Sequence, residues 1–239
     1  MLTKENLIHT VTIIHADDGT TRHTGTGCFV SYNKNGKVNY ALISNEHILN
    51  HCNHFKLYMP VIEKRTDLFI PSMELNFKSN PACLKNYDIG AIPLNPSIDK
   101  LIDEGYLPKA KFVEIDDIIT DDNLNLFGDI EKALMIGYPH NLSYSEEKYP
   151  IVKSGITATS IHHKYNRKDE FLVDILNFKG SSGSPVFIEK NNIYYLAGIH
   201  YSKLEQDIDI KSQNGDKIII SINVGLGINV KAHKLLTLF

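Results

Sequence analysis

The chain has 239 residues, 42% of them hydrophobic and 22% charged, with a formal net charge of −3. That composition supports a packed core and excludes a chain too polar to fold. The three arginines, Arg22, Arg65 and Arg167, are scattered and no basic block occurs, which sets nucleic acid aside as a partner.

No apolar run approaches the about 20 residues that cross a bilayer, so no membrane association is expected. Residues 1–6 lack the basic start and long apolar stretch of a secretory leader, and the chain reads as cytoplasmic. Its three cysteines, Cys28, Cys52 and Cys83, are too few and odd in number for a disulfide framework. Cys28 sits in an apolar strand and reads as core.

In chain order, short apolar runs rich in β-branched and aromatic residues predict strands. They cover 7–14, 27–32, 38–44, 55–59, 88–93, 133–138, 171–178, 184–188, 194–201 and 217–230. Turn signals lie between them at Asn35-Gly36, Asn191-Asn192 and Asn214-Gly215. Asn35-Gly36 predicts a hairpin. Residues 97–105 predict a helix with Ser97 as its cap and Gly105 as its stop, and 230–239 a short closing helix. The acidic stretch 111–130 reads as a connection between an N-terminal unit, 1–110, and a C-terminal unit, 131–239.

The strongest chemical signal is Gly180-Ser-Ser-Gly183 within 178–187. Small residues around a serine permit a tight turn that exposes its hydroxyl and gathers backbone N–H groups for an oxyanion. Ser182 is the candidate nucleophile, and the Gly180 and Ser182 amides the candidate oxyanion hole. Alone, the segment reads equally well as a Gly/Ser turn between strands. Two others break the tie. His47 follows the apolar run 40–44 by one short turn, where an imidazole can serve as the base a serine needs. Asp88 opens the otherwise apolar run 88–93, where a carboxylate is costly unless something uses it; orienting the histidine is such a use.

The order His47, Asp88, Ser182, with gaps of 41 and 94 residues, resembles the chymotrypsin-like serine peptidases. Gly25-Thr-Gly-Cys-Phe-Val30 resembles the strand before their histidine. Ile136-Gly-Tyr-Pro139 and Ser154-Gly-Ile-Thr157 resemble second-barrel strands of bacterial trypsin-like peptidases, including the high-temperature-requirement type. The likeness covers about residues 24–230. It implies an all-β fold of two six-stranded antiparallel barrels with a short C-terminal helix, and a site in the cleft between them. It implies a serine endopeptidase acting on protein or peptide, and it admits a regulatory protein partner. Ser181 stands where digestive members carry the aspartate that pairs with a newly cut N-terminus, which argues against activation by that route. The alternatives are an idle protease fold used as a binding module and an esterase with the same triad.

Gly198-Ile-His-Tyr-Ser202 resembles the pocket strand of glutamyl endopeptidases and picornavirus-type cysteine proteases, whose histidine contacts a Glu or Gln side chain. The likeness places His200, Asn177 and Tyr201 as candidate substrate contacts. An imidazole N–H facing a pocket favours a carboxylate or amide; a histidine merely packed in the barrel is the competing reading. His51-Cys52-Asn53-His54 holds metal-ligand residue types but lacks two further ligands, and reads as polar residues facing solvent. No metal and no cofactor are predicted.

Overall fold

The computed structural model describes residues 1–143, 145–211 and 217–239, and its frame is mostly antiparallel strands joined by tight turns. In the first half these are β1 (Val11–Asp17), β2 (Arg22–Lys34), β3 (Lys37–Ser44), β4 (His54–Glu63), β5 (Leu68–Lys78), β6 (Ala82–Leu84), β7 (Ile89–Pro93), β8 (Tyr106–Pro108) and β9 (Val113–Glu114). Between them lie α1 (Glu46–Leu49) and α2 (Asn95–Asp103). The second half holds β10 (Lys132–Gly137), β11 (Ile151–Thr157), β12 (Glu170–Asp174), β13 (Pro185–Lys190), β14 (Ile193–Lys211) and β15 (Lys217–Lys231). A 3-10 helix, Ala232–Leu238, closes the chain.

The second half forms the expected barrel: β10-β11-β12-β15-β14-β13 close on themselves. The first half corrects the expectation of a second six-stranded barrel. It is a nine-stranded sheet in the order β5-β4-β1-β2-β3-β7-β6, with β8 added to β4 and β9 to β2, and it does not close. Strand β6 is three residues long and pairs only with β7, while β5 pairs only with β4. The two edges therefore lack a shared ladder.

Local chemistry explains most elements. Asn35 and Gly36 take φ of 54° and 75°, the left-handed pair a two-residue hairpin needs, and join β2 to β3 as predicted. Asn191 and Asn192 do the same between β13 and β14. Asn214-Gly215 lies outside the described residues. Helix α2 starts earlier than predicted: Leu94 caps it, Pro96 occupies its first turn and Ser97 makes no cap bond. Proline's fixed φ suits that first turn, and Asn95 Oδ1 accepts the Tyr40 N–H at 2.8 Å, pinning the helix to β3. The predicted tail helix is the 3-10 helix, because β15 extends to Lys231.

One core fills the open sheet with Ile14, Phe29, Leu42, Leu57 and Ile92. Another fills the barrel with Met135, Phe171, Val173, Val186 and Ile188. A third joins the halves: Val11, Cys28, Ile43 and Ile89 pack in one cluster with Ile136, Phe187, Ile199 and Val230. Cys28 is fully buried, as the apolar strand implied. Among the described residues, no helix is long and apolar enough to cross a membrane.

Candidate active site

His47 sits on the single turn α1, just after β3. Asp88 follows the 3-10 turn Lys85–Tyr87, in a left-handed conformation with φ 50°. Aspartate visits that region more readily than most residues because its short side chain bonds locally. Its carboxylate grips the histidine twice. Oδ1 accepts the His47 backbone N–H at 2.9 Å, and Oδ2 lies 2.7 Å from Nδ1. An ionised carboxylate only accepts, so Nδ1 carries the proton and Nε2 keeps a lone pair for base work. Asn45 is fully buried and donates from Nδ2 to the Asp88 carbonyl at 2.9 Å, locking the left-handed turn.

Ser182 comes from the other half, on the turn before β13. Gly180 and Gly183 have φ of 90° and 86°, and a Cβ on Gly183 would lie 2.0 Å from Thr26 O. No larger residue fits there. The turn is held on every side. Ser181 N–H donates to Phe178 O, Gly183 N–H to His200 O, and the His140 N–H takes Lys179 O. Among the described residues, the Gly180 and Ser182 N–H groups have no acceptor. They are the two donors expected of an oxyanion hole.

Thr26 on β2, fully buried, joins the halves at this point. Its N–H donates to Ser182 O at 2.8 Å and its carbonyl accepts Ser44 Oγ at 2.7 Å. Its hydroxyl donates to Gly180 O at 3.3 Å, accepts the Tyr138 N–H at 3.1 Å, and lies 3.2 Å from Ser184 Oγ. A Cβ on Gly25 would lie 3.0 Å from Ser182 O and 3.2 Å from Ile48 Cγ1. The Ser182 backbone and the residue after His47 thus flank one glycine. Ser182 is half-buried and its hydroxyl carries no hydrogen bond among the described residues, to His47 or otherwise. Such bonds are commonly loose without substrate and tighten in the complex.

His200 and Asn177 come together beside the Ser182 turn. A Cβ on Gly227 would lie 2.9 Å from Asn177 Nδ2 and 3.2 Å from His200 Nδ1. His200 is buried, and burial pulls its pKa down to about 4, so the ring is neutral at pH 7. Its Nδ1 is a buried polar atom without a hydrogen-bond partner, as is Oδ1 of Asn229, the residue paired with it across β14–β15. Tyr201 is placed elsewhere: its hydroxyl donates to Glu170 Oε1 at 2.9 Å. Lys153 escaped the sequence reading. Its Nζ donates to Leu176 O at 2.6 Å and lies 4.6 Å from the Phe178 ring centroid, and its charge acts on His200. Thr26 and Asn45 were also missed; Thr26 lies inside the Gly25–Val30 segment and Asn45 just before His47, and only contacts distant in sequence give them roles.

The metal-like group disperses. Cys52 is buried with its Sγ on Ile48 O, and His54 bonds Asn53. Among the described residues no three His, Cys, Asp or Glu side chains gather as a metal site.

No family model matches the chain, and no curated protein matches its sequence. Solved structures do match. A serine endoprotease from Yersinia pestis superposes with a TM-score of 0.59 at 14% identity, covering 98% of this chain and 62% of its own. The chain has the fold of the chymotrypsin-like serine proteases. The protease Anisep from Arthrobacter nicotinovorans superposes at 0.56 with 14% identity, covering 96% of this chain and 92% of its own. An inactivated protease paralogue from the scabies mite superposes at 0.58 with 11% identity, covering 97% and 92%. The chain therefore spans 62% of the Yersinia pestis protein, and 63% of an HtrA-type protease matched with a decapeptide. At these identities the likeness speaks for the fold, which active and inactivated proteins share.

Proposed function

We propose that this chain is a serine endopeptidase working through an acyl-enzyme on Ser182. The observation that carries the reading is the juxtaposition just described. A histidine with its Nδ1 held by Asp88 at 2.7 Å and a glycine-bounded serine turn with two unclaimed N–H groups come from the two halves, with Gly25 between the Ser182 carbonyl and Ile48, the residue after that histidine. In the reaction, Ser182 Oγ attacks the peptide carbonyl as its proton passes to His47 Nε2. The Gly180 and Ser182 amides hold the oxyanion. His47 then gives the proton to the leaving amine, and water activated by the same ring releases the acyl group and restores Ser182.

The site also supports a preference for glutamate before the scissile bond. A neutral imidazole with an unpartnered nitrogen and the Asn177 amide lie together against Gly227, beside the Ser182 turn, with both side chains buried. The Lys153 ammonium beside it favours a carboxylate over the isosteric amide.

A fluorophosphonate probe tests the chemistry. Labelling at Ser182, lost in Ser182→Ala, with hydrolysis of a peptide library, is the expected result. A folded protein that neither labels nor cleaves would assign the fold to the binding-module reading, which the inactivated mite paralogue makes concrete.

A further inference from the structure

Segments distant in sequence enclose a cavity of about 340 Å³. They are the connection between the halves at 119–124, the β11–β12 loop at 161–169, and the end of β15 with the 3-10 helix at 231–234. None of the triad, His200 or Asn177 lines it. Ile119, Ile161 and Ala197 give it an apolar floor and belong to the barrel core. Ile119 N–H donates to Leu196 O at 2.9 Å and lays the connection against β14. His162 Nε2 donates to Phe127 O at 2.9 Å and ties the loop to the same connection. The fold itself therefore fixes both walls.

The charges lining the cavity do not balance. Lys164, Lys231 and Lys234 bring three ammonium groups against the two carboxylates of Asp121 and Asp169. Asp169 is already committed: Oδ1 lies 3.4 Å from Lys164 Nζ and Oδ2 2.9 Å from Lys234 Nζ. Lys234 also covers the Tyr87 ring, 5.1 Å from its centroid. Lys231 is left over. It is half-buried, and its Nζ has no ion pair or hydrogen bond among the described residues. Burial holds its pKa below the usual lysine range, the mark of an ammonium that has lost water without gaining a partner. Asp121 is exposed and acts on Lys231 only at a distance, with no ion pair of its own among the described residues. The Thr120 hydroxyl and the His233 ring, on half-buried residues of the same lining, also carry no hydrogen bond among the described residues.

The geometry points to this cavity as a binding site for a small organic anion, a short apolar body ending in one carboxylate or phosphate group. The head group meets the Lys231 ammonium, with Thr120 Oγ and a ring N–H of His233 as further donors. The body lies on Ile119, Ile161 and Ala197. A cavity of this size, with an apolar floor and a few convergent polar groups, suits a small molecule. A surplus of one positive charge suits one anionic group, and the carboxylates at 121 and 169 disfavour a polyanion. The site uses no chemistry at Ser182 and is independent of the peptidase reading.

The test is calorimetric titration of the wild-type chain with benzoate and phenyl phosphate, against benzyl alcohol and inorganic phosphate. At least one of the two organic anions should bind at one site with Kd of about 1 mM or tighter, within reach of so small a body. Benzyl alcohol and inorganic phosphate should bind at least about tenfold more weakly, the loss of the charge or of the apolar body. Lys231→Met should weaken the anion at least about tenfold, and Lys231→Arg should restore it. Asp121→Asn should strengthen it about threefold, the scale of one exposed charge. Lys164→Met, at an exposed side chain, removes the same surplus charge if Lys231→Met does not fold. No binding of either anion at about 10 mM, or affinity unchanged in Lys231→Met, overturns the inference. So does benzyl alcohol or inorganic phosphate bound as tightly as the organic anions, which would leave an apolar hole or a bare-ion site. Binding that falls in His200→Gln and survives Lys231→Met would put the probe beside Ser182 and also overturn it. Failure of Ser182 to label, with anion binding intact, would sink the peptidase and keep this site.

Discussion

Replacing Thr26 by valine nearly preserves volume and removes one oxygen. That oxygen accepts the Tyr138 N–H, donates to Gly180 O and meets Ser184 Oγ, in a side chain fully out of solvent. A buried donor stripped of its acceptor costs about 1–3 kcal/mol, and a long bond such as that to Gly180 O contributes at the low end of about 0.5–1.5 kcal/mol. The sum is a loss of about 1.5–3.5 kcal/mol, read as a lower urea midpoint at unchanged slope. The backbone bonds of residue 26 to Ser182 O and Ser44 Oγ survive, so Ser182 keeps its anchor while the Gly180 peptide loses one. Removing an oxyanion donor outright costs about 10²–10³ in kcat. Loosening it should cost less, about 10- to 100-fold, seen in fluorophosphonate labelling rate and peptide turnover. Thr26→Ser keeps the oxygen and should restore most of both. A valine variant within about 0.5 kcal/mol of wild type, labelling at the wild-type rate, would show that Thr26 only fills space.

Asp88→Asn should lower kcat by about 10⁴, because an amide no longer enforces the Nδ1–H form of His47; circular dichroism should be unaltered. His200 stays neutral in the folded chain down to about pH 4, whereas the unfolded chain protonates near 6.5. Its contribution is complete above pH 6.5 and is lost as pH falls from 6.5 to 4, by about 3 kcal/mol at full extent; urea titrations of wild type and His200→Gln at pH 7 and pH 5 should show a smaller drop in the variant. Lys153→Met should cut the kcat/KM ratio of Glu to Gln peptides about 3- to 10-fold, an effect of about 0.7–1.4 kcal/mol at a partly exposed charge. Gly183→Ala should abolish labelling, since the added methyl meets Thr26 O and φ is 86°.

The two hairpin turns were legible because Asn and Gly at fixed spacing leave the backbone few choices. Five of the six barrel strands were legible because their residues are apolar in runs; β11, whose half-buried and exposed residues alternate, was seen only in the likeness of Ser154–Thr157. Strand β5 was not recognised. Pro71 interrupts it, and it lies opposite the β4 register shift between Met59 and Val61. Only Met73, Leu75 and Phe77, half-buried between exposed Glu74 and Asn76, carry the period-2 signal. The open edge of the first sheet was equally hidden, because closure depends on where β5 and β6 meet in space. His47, Asp88 and Ser182 stood out as residue types wrong for their surroundings. Thr26, Asn45 and Lys153 did not, since a threonine in a strand, an asparagine before a helix and a surface lysine are ordinary in sequence.

The apolar cluster shared by the open sheet and the barrel has a thermodynamic consequence. Leu2 is buried in that cluster, and its carbonyl accepts the Tyr194 N–H from the barrel. Splitting the molecule along this seam would wet side chains of both halves at once, so neither should melt alone, and calorimetry should record a single transition. Because His47 and Ser182 stand on opposite sides of the seam, hydrolysis would vanish with that transition rather than ahead of it.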